Sequence, residues 1–300
     1  MEYERYEFDQ PLYGGVNVLR IGDALVDTGH VAPTSRDPLR EALSGPLSDI
    51  ERVVHTHPHI DHVGGSQTIG ELADRPHLVP AGEPEIIYDY ADYLRRAREE
   101  MAQLLSGFDA GFEGFDEYFP ILEYAEERID VVRELEDGDV IEIDGEELEA
   151  VSTPGHADPH LGFLHESSGT FFSGDLVDPD GLFQYGPLLG DVGDYKRSLR
   201  RVEALDPDVL VPMHGSEISD PAAQIERSLE NAERTERRIL AFLDERGQCY
   251  AREFVAEELG VDGPRAPFLT LVTYEYLRHL EERELVAVDV TDDGIGCRKR

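Results

Sequence analysis

The 300-residue sequence predicts an α/β protein with a main body and a small helix-rich domain behind it. Short apolar runs bounded by turns alternate with helical stretches through most of the chain, and after Asp220-Pro221 the pattern turns to consecutive helices. Residues 16–20 and 24–26 read as a hairpin around Ile21-Gly22-Asp23 that runs out at Asp27-Thr28-Gly29. Residues 50–55 form a short strand rich in β-branched side chains. Residues 140–143 and 148–152 flank Asp144-Gly145, a dipeptide suited to a tight hairpin turn. Residues 170–173 and 209–213 are further strands, each followed by a glycine or a glycine-containing turn. One helix is expected over 86–105, with Pro84 near its start and Gly107 just past its end.

Beyond residue 220, helices are expected over 222–246, 252–259 and 268–282. Strands over 285–290 and 295–299 follow, joined at Asp292-Asp293-Gly294. Helix, helix, helix and two strands is the order of a winged helix, which places the domains at 1–225 and 226–300.

Composition sets the outer bounds. Sixty-five Asp and Glu against 27 Lys and Arg give a formal net charge of −38, and only Lys196 and Lys299 are lysines. A 40 % hydrophobic content argues against intrinsic disorder, and no apolar run approaches a membrane span. The charge is that of an acidic protein in an ordinary cytosol or, the preferred reading, of one in a high-salt cytosol, where a short Debye length screens self-repulsion; the second predicts loss of structure when salt is dialysed away. It argues against nucleic acid as a partner, since phosphates call for a cationic footprint. The opening MEYERYEFDQ lacks a basic n-region and an apolar h-region, so a cytoplasmic protein without a signal peptide is expected. Cys249 and Cys297 lie far apart in no CxxC pattern, which argues against a disulfide framework and against a thiolate metal site.

Four of the eleven histidines fall in His55-Thr56-His57-Pro58-His59-Ile60-Asp61-His62. Residues two apart on an extended segment point the same way, so His57 and His59 can share one ion; the chain then turns, and Asp61 with His62 can face a second. Imidazole and carboxylate without thiolate suit Zn²⁺, Mn²⁺ or iron. Three more groups look like the missing ligands: His156 in Thr153-Pro154-Gly155-His156, Asp175 in Ser173-Gly174-Asp175, and His214 in Pro212-Met213-His214-Gly215. Each follows an expected strand directly, and side chains placed just after several strands of one sheet system converge on a common edge. His160 and His165 are either packed histidines or groups within reach of a substrate.

This order of motifs resembles the metallo-β-lactamase superfamily over roughly residues 12–216. The resemblance implies a four-layer αβ/βα sandwich with a dinuclear site between its two sheets, here with a helical insertion at about 84–135. It implies that His57, His59 and His156 bind one ion, that Asp61, His62 and His214 bind a second, and that Asp175 bridges them. The cofactors so implied are two divalent ions, Zn²⁺ first, with Mn²⁺ or Fe²⁺ as alternatives. Asp27 matches a position whose carboxylate supports a ligand from behind, or is a plain turn aspartate. Zinc β-lactamases generally carry a cysteine where this chain has Asp175, and they lack the ending Asp61-His62, so the superfamily name is not the activity. The likeness is greater to glyoxalase II-like members. Residues 153–160 and the winged helix resemble a branch containing acyl thioesterases and a single-strand endoribonuclease, with Ala157 and Pro159 departing from its commonest residues.

The chemistry implied is hydrolysis. Two divalent ions about 3.5–4 Å apart acidify a bridging water, Asp61 orients it and takes its proton, and the ions stabilise the developing oxyanion. The leading substrate is a thioester or ester of a small metabolite or acyl carrier. Against the second reading, a phosphodiesterase or ribonuclease, the 268–282 helix sets Glu275, Glu281 and Glu282 against Arg278. A mononuclear-iron persulfide dioxygenase and a non-catalytic metal-binding protein are the remaining readings. Phe108, Phe112, Phe115 and Phe119 recur at helical spacing, interrupted by glycines, as a packing segment or a lid over an acyl pocket. Leu182, Phe183 and Tyr185 are expected in the pocket wall, and the winged helix and the apolar insertion are candidate surfaces for a homodimer.

Overall fold

The computed structural model describes residues 1–11, 14–106, 129, 131–177, 179, 190–263 and 265–300. Phe108, Phe112, Phe115, Phe119, Leu182, Phe183 and Tyr185 lie outside these residues.

Two sheets form the body. In the first, β1 (Glu4–Asp9), β2 (Gly15–Ile21), β3 (Ala24–Val26), β4 (Arg52–Val54), β5 (His77–Pro80) and β6 (Val131–Leu135) lie side by side in chain order. The pairing is antiparallel up to β3 and parallel from there on. Parallel neighbours need a crossover, and helices supply it. These are α1 (Pro33–Leu43) before β4, α2 (Ile60–Thr68) and α3 (Gly70–Ala73) before β5, and α4 (Pro84–Ile87) and α5 (Tyr90–Leu104) after it. The second sheet runs in the order β11-β10-β9-β8-β7, built from β7 (Val140–Ile143), β8 (Glu146–Ser152), β9 (Leu161–His165), β10 (Thr170–Gly174) and β11 (Val209–Pro212). Only β10 and β11 pair in parallel, and α6 (Val192–Leu205) links them.

Period-two alternation sorts the strand residues into layers. Leu19, Val26, Val54, Ala150, Phe172 and Val211 face inward and form the core between the sheets. Their chain neighbours face outward: Val18, Leu25 and Val53 meet Leu39 of α1 and Leu72 of α3, while Val151, Phe171 and Leu210 meet Tyr195, Leu199 and Val202 of α6. The result is a four-layer αβ/βα sandwich.

The chain continues as α7 (Pro221–Arg246), β12 (Gln248–Tyr250), α8 (Ala251–Glu253) running on as a π turn (Phe254–Glu258), α9 (Arg265–Glu282), β13 (Val286–Thr291) and β14 (Gly294–Lys299), the strands ordered β12-β14-β13. Asp220 caps α7 by accepting from the Ala223 N–H at 3.1 Å, and the helix runs unbroken past residue 226. One apolar cluster joins Leu94, Met101 and Leu104 of α5 to Leu243, Tyr276, Leu280, Val286 and Ile295. Glu236 of α7, its side chain 9 % exposed, is ringed by Lys196 of α6, Arg283 and His279. Among the described residues no helix is long and apolar enough to cross a membrane.

One expectation is corrected. The single helix expected over 86–105 is two, α4 and α5, because Asp89 leaves helical geometry and its side chain accepts from the Asp92 N–H to start a new helix. Cys249 and Cys297, distant in sequence, are free thiols that stand directly opposite each other across β12 and β14 with sulfurs 3.4 Å apart.

Candidate metal centre

The strands deliver the site. β4, β8, β10 and β11 all end at one rim of the sandwich, and beyond those ends lie residues 57–62, His156, Asp175 and His214. All seven groups proposed from the sequence come together there. His57 Nε2 lies 3.1 Å from His59 Nδ1 and 3.2 Å from His156 Nε2, and His156 Nε2 lies 2.8 Å from His59 Nδ1. Beside this triangle, Asp61, His62 and His214 form a second group of converging ligand atoms. Asp175 Oδ2 sits between the two, 3.4 Å from His62 Nε2, 3.5 Å from His156 Nε2 and 3.2 Å from His214 Nε2.

The donor set fits divalent ions. Two nitrogens held about 2.05 Å from a tetrahedral zinc lie about 3.3 Å apart, close to the edges of the imidazole triangle. His62 Nε2 and Asp175 Oδ1 are buried without a hydrogen-bond partner among the described residues, a costly arrangement for groups that nothing else satisfies.

Groups behind these candidate ligands fix their orientation. Asp27 has φ +56°, a left-handed conformation that aspartate tolerates better than most residues. Its Oδ1 accepts from the Thr56 N–H at 2.8 Å, and its Oδ2 accepts from the Thr56 hydroxyl at 2.7 Å and from His62 Nδ1 at 2.8 Å. With its own proton given to Asp27, the Thr56 oxygen accepts from His57 Nδ1 at 2.9 Å. One aspartate therefore turns a ring Nε2 inward from each half of the site. His214 donates from Nδ1 to the Gly15 carbonyl at 2.9 Å. Asn17 bonds the Pro212 and Gly215 carbonyls at 2.9 Å and tethers the loop that bears His214. His160 is packed: it donates from Nδ1 to Thr153 Oγ1 at 2.8 Å and accepts at Nε2 from the Asp175 N–H at 3.0 Å. His165 lies at the far end of β9, bonded to Ser168 and Glu146.

Two glycines allow the close approaches. A Cβ on Gly65 would lie 2.3 Å from the Thr28 carbonyl oxygen, so only glycine lets α2 settle on the loop that carries Asp27. Gly155 adopts φ +133°, and a Cβ there would strike the Tyr195 backbone nitrogen at 2.2 Å. The N-terminal turn of α6 thus presses on the loop of His156.

The two halves differ electrostatically. Burial, with the neighbouring imidazoles, drives His57 and His156 well below the usual histidine range, so they stand neutral. Burial also opposes charge on His62, but the Asp175, Asp61 and Asp27 carboxylates overturn it and raise the group well above that range. His214 is likewise raised, to about 10, chiefly by Asp175 against the effect of burial. Neutral His57 and His156 offer lone pairs at once, whereas His62 and His214 must release protons to ligate.

Behind the motif lies a network the sequence did not disclose. His55 Nδ1 meets Glu83 Oε1 at 3.0 Å, His55 Nε2 meets His77 Nδ1 at 3.2 Å, and His77 Nε2 bonds the Leu72 carbonyl at 3.0 Å. His55 stood inside the histidine cluster as a signal; Glu83, His77, Asn17 and Thr56 carried none.

The comparisons agree with this geometry. The profile of the Metallo-beta-lactamase superfamily matches residues 14–214, and the chain belongs to that superfamily. It is 31 % identical over 245 residues to the probable metallo-hydrolase YqjP of Bacillus subtilis, covering 75 % of this chain and 74 % of that protein. Over 112 residues, 37 % of this chain and 34 % of its relative, it is 34 % identical to the atrochrysone carboxyl ACP thioesterase AgnL7 of Paecilomyces divaricatus. The crystal structure of a metallo-beta-lactamase family protein from Thermus thermophilus shares the fold with a TM-score of 0.80 and 22 % identity, over 99 % of this chain and 98 % of that one.

Proposed function

We propose that the protein is a dinuclear metal-dependent hydrolase acting on a thioester or ester of a small metabolite or acyl carrier. One ion is assigned to His57, His59 and His156, a second to Asp61, His62 and His214, with Asp175 between them. The observation that carries this is the gathering of seven ligand-type groups from four strand ends, all buried but the half-buried His59, with orphaned atoms turned inward. The thioester assignment draws its support from the partial likeness to an acyl-carrier thioesterase.

Bound divalent ions supply Lewis acidity and acidify water at such a site. The chain does the rest. Asp27 and Thr56 hold the ring tautomers, His214 is aimed by the Gly15 carbonyl, and His160 pins the backbone of Asp175. Asp61, with its side chain 9 % exposed against 3 % for Asp175, is the carboxylate placed to meet solvent and take the proton of the attacking water.

Residues 226–300 are read as a winged-helix-like domain that packs on the body rather than on nucleic acid. Thr270, Leu271, Val272 and Thr273, four consecutive residues of α9, are all buried, so the helix has little free face at its centre. The carboxylate excess is read as adaptation to high salt.

The test is elemental mass spectrometry on protein purified in high salt without chelator or nickel, followed by a thioester panel with an RNA control. Two zinc or manganese ions per chain and chelator-sensitive thioester cleavage are expected. A single iron with oxygen uptake would replace this reading with sulfur oxidation, and RNA cleavage would replace it with phosphodiester hydrolysis.

A further inference from the structure

We propose that Cys249 and Cys297 form a reversible thiol–disulfide site, oxidised by low-molecular-weight disulfides, that locks the three-stranded sheet of the C-terminal elements. The two residues are directly opposed in the register of β12 and β14, and their sulfurs lie 3.4 Å apart. Opposed residues of an antiparallel pair have Cα atoms about 4.5–5.5 Å apart, inside the roughly 4.4–6.8 Å that a disulfide spans. The bond can therefore close by rotation of the two side chains while the strands stay in place.

Both cysteines are buried in the apolar cluster of the C-terminal elements, and no metal accounts for the pair. Among the described residues every group that could hold an ion lies at the hydrolytic site, and a structural zinc takes four ligands where two thiols stand here. Both cysteines line a recess of about 340 Å³ together with Tyr250, Glu253, Asp289 and Arg298. A small disulfide can approach through it, and the recess has room for the half that remains attached after the first exchange.

The two sulfurs have different parts. Cys297 directs its single S–H to the Cys249 carbonyl at 3.3 Å, which favours its protonated form. Cys249, whose thiol the contact with Cys297 holds below its usual range, is thus the first nucleophile. Its thiolate attacks one sulfur of the small disulfide, forming a mixed disulfide and expelling a small thiolate that takes the Cys249 proton. Cys297 then gives up its proton and attacks the Cys249 sulfur. The second small thiolate leaves and takes that proton. Two protein thiols are oxidised, and one small disulfide is reduced to two small thiols.

The closed bond ties residues 48 apart, with α8, α9 and β13 inside the loop, and restricts the unfolded chain accordingly.

To test this, the full-length protein in high salt is incubated with excess 2-hydroxyethyl disulfide, denatured, treated with maleimide and weighed intact. The expected product has lost two hydrogens, carries neither maleimide nor adduct, and melts several degrees higher until dithiothreitol restores it. Cys297→Ser is expected to retain one hydroxyethylthio group on Cys249, and Cys249→Ser to react more slowly. Full alkylation of both cysteines after incubation would overturn the proposal, as would stable adducts on the wild-type chain or a cross-link between chains. Should a serine variant fail to fold, the mass of the wild-type protein decides alone.

Discussion

The metal centre and helix α9 both bury carboxylates, and to opposite effect. Burial pushes every such group toward its neutral form. At the centre, the imidazoles of His62 and His214 outweigh it and hold Asp61 and Asp175 below the ordinary carboxylate range. On α9, burial pushes Glu275 up to about 7, and the guanidinium of Arg278, 3.1 Å away, does not cancel it. The partners explain the contrast. His62 is fully buried, while the Arg278 side chain is 48 % exposed and its charge is shared with solvent. Asp191 and Glu100 add to the pressure on Glu275. A buried charge is well kept only when its counter-charge is buried with it, and the centre meets that condition where the helix does not.

The largest expected effect comes from breaking the centre itself. His59→Ala or Asp175→Ala should abolish metal content and turnover together, and a variant with wild-type turnover would contradict the ligand assignment. Acidification should then separate the two halves. Protons compete for His62 and His214 more strongly than for His57 and His156, so on stepwise dialysis from pH 8 to pH 5 the ion at Asp61, His62 and His214 should leave first. Metal content passing through one ion per chain is the expected course; simultaneous loss of both would remove the distinction. Asp27→Asn should cost about 10–100-fold in metal affinity or turnover, since it loosens the proposed ligands His62 and His57 without removing either.

The smallest effect lies on α9. Glu275 has a folded pKa near 7, above its ordinary value of 4.5. Its ionisation is therefore penalised only in the fold, and stability is lost as pH rises from about 4.5 through 7. Glu275→Gln should raise stability at pH 8 by the order of 1–2 kcal/mol and leave it unchanged at pH 4, as denaturant melts at the two pH values would read. An equal effect at both would mean that the Arg278 pair, and not ionisation, governs the site.

Much of this could be read from the chain, for local reasons. The strands at 50–55, 170–173 and 209–213 pair an apolar run with a polar stop, and the groups gathered at the rim sit at those stops. What escaped the reading depends on contacts between distant segments. Strand β1 mixes charged and aromatic residues on a largely exposed edge, so it lacks the apolar signature of the others. Helix α1 carries both Pro33 and Pro38, which speak against a helix until the fold shows Pro33 in its first turn. The break before α5 turns on one capping aspartate, and the pairing of His55, Glu83 and His77 needs three elements already in place.

The tether of His214 to the Gly15 carbonyl also sets a timetable. These partners stand 199 positions apart, and β11, which delivers His214, is the last strand to join either sheet of the sandwich. A chain leaving the ribosome exposes the first three imidazole donors early but cannot complete the second half of the centre until β11 has emerged and docked. Closing so long a loop costs chain entropy, which the docking of β11 between β10 and the first sheet's Gly15–Asn17 segment has to offset.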